Sequence, residues 1–313
     1  MSAQSKKRWF LGLIFFLIIG LGGYSFSFFQ FHFNKNIQTV YPIIAKTESR
    51  ENNIKLAFVG DIMLDRGVEY FVNKSFGGDY HELFVEVEDR LRNYDFLFGN
   101  LEGPVSDKGI DGGSLYSFRM DPAVLPVLKR VGFDGFSIDN NHILNYGPEA
   151  LADTKIRLKN NNLIIGGEDF ELGGIRMMIL TFNEFANLDL EKMRDQISLA
   201  KTVNDLVIVY FHFGEEYQTE PNEYQKMVSK TAVDAGAGLI IGSHPHVIQN
   251  LEQYKNVWIV YSLGNFIFDQ YFSPETMEGG LLEVEVNPNT KLIEKVSLRK
   301  TFLNKMFQLE SIQ

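Results

Sequence analysis

The stretch GSHPHVIQ places two histidines, His244 and His246, one residue apart directly after an apolar run. Imidazole nitrogens are common ligands of divalent transition metals, so this spacing favours a metal-binding turn. In an extended loop, residues i and i+2 point to the same side, and both rings would then converge on neighbouring ions. Pro245 between them limits the freedom of the loop and lowers the entropy lost when a site assembles.

Side chains with metal-binding atoms also end four other apolar runs. They are Asp61 in VGDIML, Asn100 and Glu102 in FGNLEGP, Asn141 and His142 in DNNHIL, and His212 in YFHFG. Four of the six histidines of the chain therefore stand at such positions, whereas His32 and His81 do not. Imidazole mixed with carboxylate and amide oxygens suits zinc, manganese or iron more than calcium. The sequence predicts a site for such a divalent metal.

Each of these residues also has a purely structural alternative. Asp61 could cap a helix, and Asn141 could belong to a turn. A single histidine after a strand, such as His212, could serve only as a hydrogen-bond partner. The metal site is absent only if every such alternative holds separately at every position.

The elements that must position these residues alternate along the chain. Buried strands are predicted for IKLAFVGD, YDFLFGNLE, FDGFSIDNNH, LIIGG, GIRMMILTFN, NDLVIVYFHFG, GLIIGSH and NVWIVYSLGNF. Helices are predicted for DPAVLPVLKRVG, GPEALADTKIRLKNNN and EPNEYQKMVSKTAVDAGA, the last from Pro221 to Gly236. This alternation indicates an α/β domain with its site at the carboxyl ends of the strands. The segment GGLLEVEVNPNTKLIEKVSLRKTFL alternates with period two and predicts an antiparallel hairpin.

The first 53 residues differ in composition from the rest. Lys6, Lys7 and Arg8 precede an uncharged apolar run at residues 9–29, which is long enough for a transmembrane helix. We predict a cytoplasmic tail at 1–8, an anchor at 9–29, a stalk at 30–53 and an exported domain at 54–313. A cleaved signal peptide is the alternative. The anchor predicts a single-pass protein of the cell membrane, with its N-terminus in the cytoplasm and its main domain extracytoplasmic.

Composition excludes several classes of function. The 313 residues carry a formal net charge of −10, which argues against nucleic acid as a partner, because nucleic-acid binding needs a basic surface. The chain has no cysteine, so a thiolate nucleophile, a zinc ribbon and a disulfide framework are all excluded.

The order of Asp61, Asn141-His142, His212 and GSHPH resembles the calcineurin-like metallophosphoesterase pattern. The closer resemblance is to the CapA family of poly-γ-glutamate capsule synthesis proteins, through GDIMLDRG, NLEGPVSD, FRMDP, GFDGFSIDNNHILNYG, HFGEEY, IGSHPHVIQ and VYSLGNFIFD. These motifs follow in order over residues 55–269. The resemblance implies a four-layered α/β/β/α sandwich, extracytoplasmic and attached to the membrane.

The resemblance also implies roles for the residues at the ends of the predicted strands. Asp61 and His246 resemble ligands of a first metal. The ligands of a second metal would be Asn141, His212 and His244. His142 resembles the residue that protonates the leaving group or steadies the transition state.

Two positions depart from the phosphoesterase pattern. Met63 stands where the pattern has a histidine, and thioether sulfur is a poor ligand for a hard divalent ion. Asn100 stands where the pattern has a bridging aspartate, although we still count it among the metal residues. Glu102, two residues further along the same predicted strand, could supply the missing carboxylate. The expected number of ions is therefore one or two.

Other polar residues of the motifs have supporting roles in this interpretation. Arg119 is predicted to bind an anionic substrate, and Glu216 and Asn265 are predicted to orient the metal ligands. Asp65 and Arg66 are predicted to pair with each other and shape the first loop.

Two functions remain open at this stage. The first is a metal-dependent hydrolase that acts on a phosphoester or an amide during synthesis or export of an anionic polymer such as poly-γ-glutamate. The second is a non-catalytic scaffold of a membrane-bound polymer export machine, in which other membrane subunits are partners and the metal is structural.

Overall fold

The computed structural model describes residues 52–313. The predicted cytoplasmic tail, the anchor and nearly all of the stalk lie outside the described residues. Within residues 52–313, no helix combines the length and the apolar composition that crossing a bilayer requires.

The described chain contains fourteen strands and six α-helices. The strands are β1 Ile54–Ile62, β2 Phe96–Leu101, β3 Gly135–Ser137, β4 Ile164–Ile165, β5 Asp169–Leu172, β6 Ile175–Asn183, β7 Leu206–His212, β8 Leu239–Ser243, β9 Leu251–Tyr254, β10 Val257–Val260, β11 Asn265–Ile267, β12 Glu278–Val286, β13 Ile293–Leu303 and β14 Leu309–Ile312. The helices are α1 Arg66–Phe76, α2 Glu88–Leu91, α3 Val124–Arg130, α4 Gly147–Asn160, α5 Leu190–Val203 and α6 Glu223–Asp234.

The strands form two sheets. The first has eight strands in the order β14-β13-β12-β1-β2-β3-β4, with β11 paired to β1. The second has six strands in the order β5-β6-β7-β8-β10-β9. Parallel pairing of β1, β2 and β3, and of β6, β7 and β8, brings the carboxyl ends of these strands to one edge of each sheet.

Alternating side chains of each central strand enter different cores. In β1, Leu56 and Phe58 pack between the two sheets, whereas Ala57 and Val59 pack towards the helices. Residues of α1 to α4 cover the outer face of the first sheet. Helices α5 and α6 cover the outer face of the second sheet. The four layers are therefore α/β/β/α, and the α/β prediction is confirmed.

Most predicted elements are confirmed, including the antiparallel hairpin of β12 and β13. The prediction of one strand over NVWIVYSLGNF is wrong, because β10 belongs to the second sheet and β11 to the first. Between them Gly264 has φ +62°, and the chain crosses there from one sheet to the other. Helix α6 begins after Asn222, whose side chain caps Gln225, and Pro221 lies just outside it.

The sequence prediction missed helix α5, although its signals are present. Asp189 accepts hydrogen bonds from two backbone N–H groups of the first turn and acts as the N-cap. Met193, Ile197 and Ala200 recur at the spacing of one helix face and are buried.

Candidate metal centre

Strand register places Asp61 between two asparagines. Asp61 on β1 pairs with Asn100 on β2 and with Asn265 on β11. On the second sheet, His212 at the end of β7 pairs with Ser243 at the end of β8. The predicted polar residues thus meet where the carboxyl ends of the two sheets lie together.

The backbone of the GSHPH turn differs from the extended loop that was predicted to bring His244 and His246 together. His244 has φ +99° and His246 has φ +59°, so the loop is not extended and the i, i+2 argument is wrong. Residues other than glycine seldom adopt a positive φ, because it strains the backbone. Residues with this conformation are often found at functional sites. The ring centroids of the two histidines lie 5.9 Å apart.

Among residues 52–313, two groups of side chains could hold a divalent ion. In the first, Asp61, Glu102 and His246 are all buried, and one ligand atom from each lies within 4.8 Å of the others. The second group consists of Glu216, His244 and the same His246, whose ligand atoms also lie within 4.8 Å of one another. Glu216, predicted only to orient ligands, therefore stands close enough to be a ligand itself.

Asn141 and His212 meet on the neighbouring side of the site. Oδ1 of Asn141 lies 2.8 Å from Nε2 of His212, whose Nδ1 lies 3.0 Å from Oγ of Ser243. The His212 and His244 rings have centroids 4.8 Å apart. The structure thus brings Asn141, His212 and His244 together, as the resemblance implies for a second ion.

Both polar atoms of the Asn100 side chain form hydrogen bonds with neighbouring side chains. Its Nδ2 donates to Oδ1 of Asp61 at 2.8 Å, and its Oδ1 accepts from Nδ2 of Asn140 at 3.1 Å. Nδ2 also lies 3.5 Å from Oε2 of Glu102. The amide therefore links the two carboxylates through N–H groups, and its oxygen is already bonded.

The surroundings of Asp61 and Glu102 shift the pKa values of these two buried carboxyls in opposite directions. Burial and the nearby charge of Asp61 raise the pKa of Glu102 well above its ordinary value. Burial also raises the pKa of Asp61, but hydrogen bonding and attraction from His246, attraction from His212 and the bond from Asn100 outweigh it and lower that pKa. Two neighbouring buried carboxyls that differ in this way are typical of functional sites.

Burial favours the neutral form of His212 and His244. Burial lowers the pKa of His212 to about 3, and it lowers the pKa of His244 well below the ordinary value. A neutral imidazole offers a lone pair, which is the form that binds metals.

His142 lies at the rim of the same group. Its Nδ1 lies 2.9 Å from Oδ1 of Asn145, and because that oxygen also accepts the backbone N–H of Phe118, Nδ1 is the donor. Nε2 is then free of a proton and lies 3.7 Å from Oε1 of Glu102. Burial lowers the pKa of His142 below its ordinary value.

The side chains of Met63 and Arg119 are held by contacts with residues other than the candidate ligands. Met63 is fully buried, packs in an apolar cluster with Phe118 and Phe268, and accepts the Asp65 N–H through sulfur at 3.3 Å. The guanidinium of Arg119 stacks 4.3 Å over the ring of Tyr146. Arg119 is not among the residues that line the cleft above the candidate centre.

That cleft has a volume of about 320 Å³ and is lined by Arg66, Tyr116, Phe118, His142, Glu216, Tyr217, His246, Phe268, Asp269, Gln270, Tyr271 and Phe272.

The predicted pairing of Asp65 with Arg66 through their side chains is wrong. Asp65 caps helix α1 and accepts the Arg119 N–H, whereas Arg66 forms a two-pronged ion pair with Asp269. The sequence prediction missed Arg66 as a cleft residue, although GDIMLDRG contains it.

A divalent ion fits these residues. Oε1 of Glu102 and Nδ1 of His244 are buried and have no hydrogen-bond partner among residues 52–313. Burying such atoms without a partner is costly, and a cation held by each of the two groups would satisfy them. Carboxylate and imidazole together suit zinc, manganese or iron.

Known proteins resemble this chain in sequence and in fold. Residues 55–270 match the family described as bacterial capsule synthesis protein PGA_cap. The capsule biosynthesis protein CapA of Bacillus anthracis is 32% identical over 296 residues, covering 82% of this chain and 70% of that protein. The PGA biosynthesis protein CapA of Bacillus subtilis (strain 168) is 32% identical over 270 residues, covering 75% and 68%.

A solved structure shares the fold. A phosphatase from Mycoplasma pneumoniae superposes with a TM-score of 0.50 at 17% identity, covering 80% of this chain and 94% of that one. At that identity the likeness shows the fold alone, which is the α/β fold described above. Since the family match covers more than half of the sequence, and two relatives reach 32% identity, the chain belongs to the PGA_cap family of bacterial capsule synthesis proteins.

Proposed function

We propose that the domain is a divalent-metal-dependent hydrolase that acts on a phosphoester or an amide during synthesis or export of a capsule polymer such as poly-γ-glutamate. The observation that carries the proposal is the convergence of Asp61, Glu102 and His246 with Glu216 and His244 around two unpartnered buried atoms. A bound divalent ion would acidify a water molecule and stabilise negative charge on the attacked group.

The residues of the site have separable roles in this proposal. Asp61, Glu102 and His246 hold one ion, and Asn141, His212 and His244 are placed for a second. His142, fixed through Nδ1 by Asn145, presents an unprotonated Nε2 to the cleft. Nε2 would accept the proton that the attacking water loses and would then steady or protonate the leaving group.

Metal analysis of the purified full-length chain tests the site. We expect one or two equivalents of manganese, zinc or iron, and at least one equivalent fewer in His246→Ala, because His246 belongs to both candidate groups. His81→Ala is the matched control, since His81 bonds Glu88 at 2.7 Å and lies outside both groups. A chain that binds no divalent metal would rule out the proposal.

Hydrolysis of a chromogenic phosphodiester by the manganese-loaded chain tests the reaction. His142→Ala should lower kcat by roughly 100-fold or more, which is the usual contribution of a positioned acid or base. Its metal content should stay unchanged. Equal kcat in wild type and His142→Ala would show that His142 does not act on the leaving group.

We also propose that the protein is a single-pass protein of the cell membrane with its main domain extracytoplasmic. The basic flank and apolar run at residues 6–29 support this topology. Protease added to intact protoplasts should degrade the domain, whereas protection of the domain would contradict the topology. Anionic polymer and other membrane subunits are the proposed partners.

A second candidate function is a non-catalytic scaffold for polymer export. Two observations favour it, namely the apolar surroundings of Met63 and the N–H groups that Asn100 turns towards Asp61. A scaffold predicts normal polymer export in His142→Ala and loss of export when residues 1–29 are removed. The hydrolase predicts loss of export in both.

A further inference from the structure

Arg66 is the only arginine or lysine among the residues that line the cleft. The same cleft is bordered by His142, His246 and Glu216 of the candidate metal centre. A group bound against Arg66 would therefore share one cavity with the metal-binding residues.

The guanidinium of Arg66 is fixed before any ligand arrives. Its Nε and Nη2 donate to the two oxygens of Asp269 at 3.0 and 2.7 Å, and the Gly67 N–H donates to Asp269 at 3.0 Å. The guanidinium carbon lies 5.0 Å from the ring centroid of Phe118. A planar group held in this way loses little entropy when it binds a further partner.

The third nitrogen of the guanidinium remains available. Nη1 forms no hydrogen bond or ion pair in the part of the chain that the structure describes, and the side chain of Arg66 is 34% exposed. Arg66 also has φ +53°, an angle that costs energy for any residue except glycine. The contacts to Asp269 hold this conformation in place.

Arg119, by contrast, has its guanidinium over the ring of Tyr146 and within 3.4 Å of the carbonyl oxygen of Lys108. We propose that Arg66, and not Arg119, binds an anionic group of the substrate, a phosphate or a carboxylate, beside the bond that is cleaved. This inference rests on the proposed function, because it places the anion next to the candidate metal centre.

Because Arg66 is paired with Asp269, substitutions of these two residues should change anion binding in opposite directions. Asp269 neutralises part of the charge of Arg66, so Arg66→Gln should weaken anion binding and Asp269→Asn should strengthen it. If the ion pair served only to hold the loop, both changes would loosen the cleft and weaken binding alike.

The test uses the full-length chain loaded with manganese. Compared with wild type, we expect KM for a chromogenic phosphodiester to rise about tenfold in Arg66→Gln and to fall in Asp269→Asn, with metal content unchanged. Arg92→Gln is the matched control, since Arg92 is a 60% exposed arginine outside the cleft. An unchanged KM in Arg66→Gln, or a higher KM in both variants, would overturn the proposal.

Calorimetric titration with inorganic phosphate and with glutarate measures anion binding directly, so it tests the role of Arg66 even if the chain does not cleave the chromogenic substrate. The expected order of affinity is Asp269→Asn, then wild type, then Arg66→Gln, with and without manganese. The anion that shows this order identifies the group as phosphate or carboxylate. Equal affinities, binding of neither anion, or weakening only in Arg119→Gln would contradict the proposal, whereas missing metal or missing turnover contradicts only the proposed function.

Discussion

The imidazole of His246 is oriented by Asn265, with Nδ1 2.9 Å from Oδ1 of the amide. Nδ2 of Asn265 donates to the backbone carbonyl of Thr276 at 3.0 Å, and a carbonyl can only accept, so the amide has one possible orientation. Its oxygen therefore faces His246, Nδ1 of the ring donates to it, and Nε2 is the nitrogen left for a further partner. Nε2 lies 3.8 Å from Oε1 of Glu102.

The first prediction follows from this pair. Asn265→Ala should lower manganese affinity by roughly 10- to 100-fold, since groups that orient a metal-binding histidine contribute about that much. Isothermal titration calorimetry measures the effect, with Asn73→Ala on the exposed face of α1 as the control. Equal affinity in Asn265→Ala and wild type would show that His246 needs no such support.

The second prediction concerns Asn100→Asp. This change replaces the N–H group that faces Asp61 at 2.8 Å with a third carboxyl near Asp61 and Glu102. With chelator, we expect the free energy of unfolding to fall by about 3 kcal/mol, because a buried charge then lacks a partner. With manganese, the loss should shrink, since the ion neutralises the added charge.

Thermal unfolding of wild type and Asn100→Asp, with and without manganese, measures this difference. A loss of the same size under both conditions would mean that no cation reaches these carboxyls.

The third prediction concerns Gly242, which precedes the histidine turn. A Cβ at this position would overlap the backbone carbonyl oxygen of Tyr261 on the chain after β10, and backbone atoms cannot move aside easily. Gly242→Ala should therefore lower the free energy of unfolding by about 3 kcal/mol or more. Gly280→Ala is the comparison, since a Cβ there meets the flexible ends of Leu298 and Leu263 at 2.9 and 3.0 Å. Chemical denaturation in which Gly280→Ala loses more would contradict this account.

The fourth prediction concerns the pH dependence of stability. Burial raises the pKa of Asp153, but bonds from Arg157, Ser106 and Lys108 outweigh it and lower that pKa to about 2. A carboxyl with a lowered pKa stabilises the fold above its unfolded value near 4, and this contribution disappears as the pH falls through about 2.

Asp153→Asn should therefore cost about 2 kcal/mol of unfolding free energy at pH 7, and the difference from wild type should shrink between pH 4 and pH 2. Urea denaturation across this range measures it, with Glu149→Gln, an exposed residue of the same helix, as the control. A difference independent of pH would assign the loss to packing and not to charge.

The sequence by itself indicated which residues are candidates for the metal site. Asp61, Asn100, Glu102, His212 and the GSHPH turn each follow an apolar run, and parallel strands bring such ends to one edge. The same local patterns located most strands, two of the long helices and the C-terminal hairpin, because hydrophobic period and turn residues are short-range signals. Motif resemblance added the order of the sandwich layers.

Only the tertiary structure decided how those residues meet. The guanidinium of Arg66 bonds to Asp269 and not to the side chain of its neighbour Asp65, although 203 positions separate Arg66 from Asp269. The strand predicted after Asn256 divides between two sheets, because its two halves pair with β8 and β1. The nitrogen that His246 offers to a cation depends on the Thr276 carbonyl, acting through Asn265. These contacts form between segments distant in the chain, and local residue patterns carry no information about them.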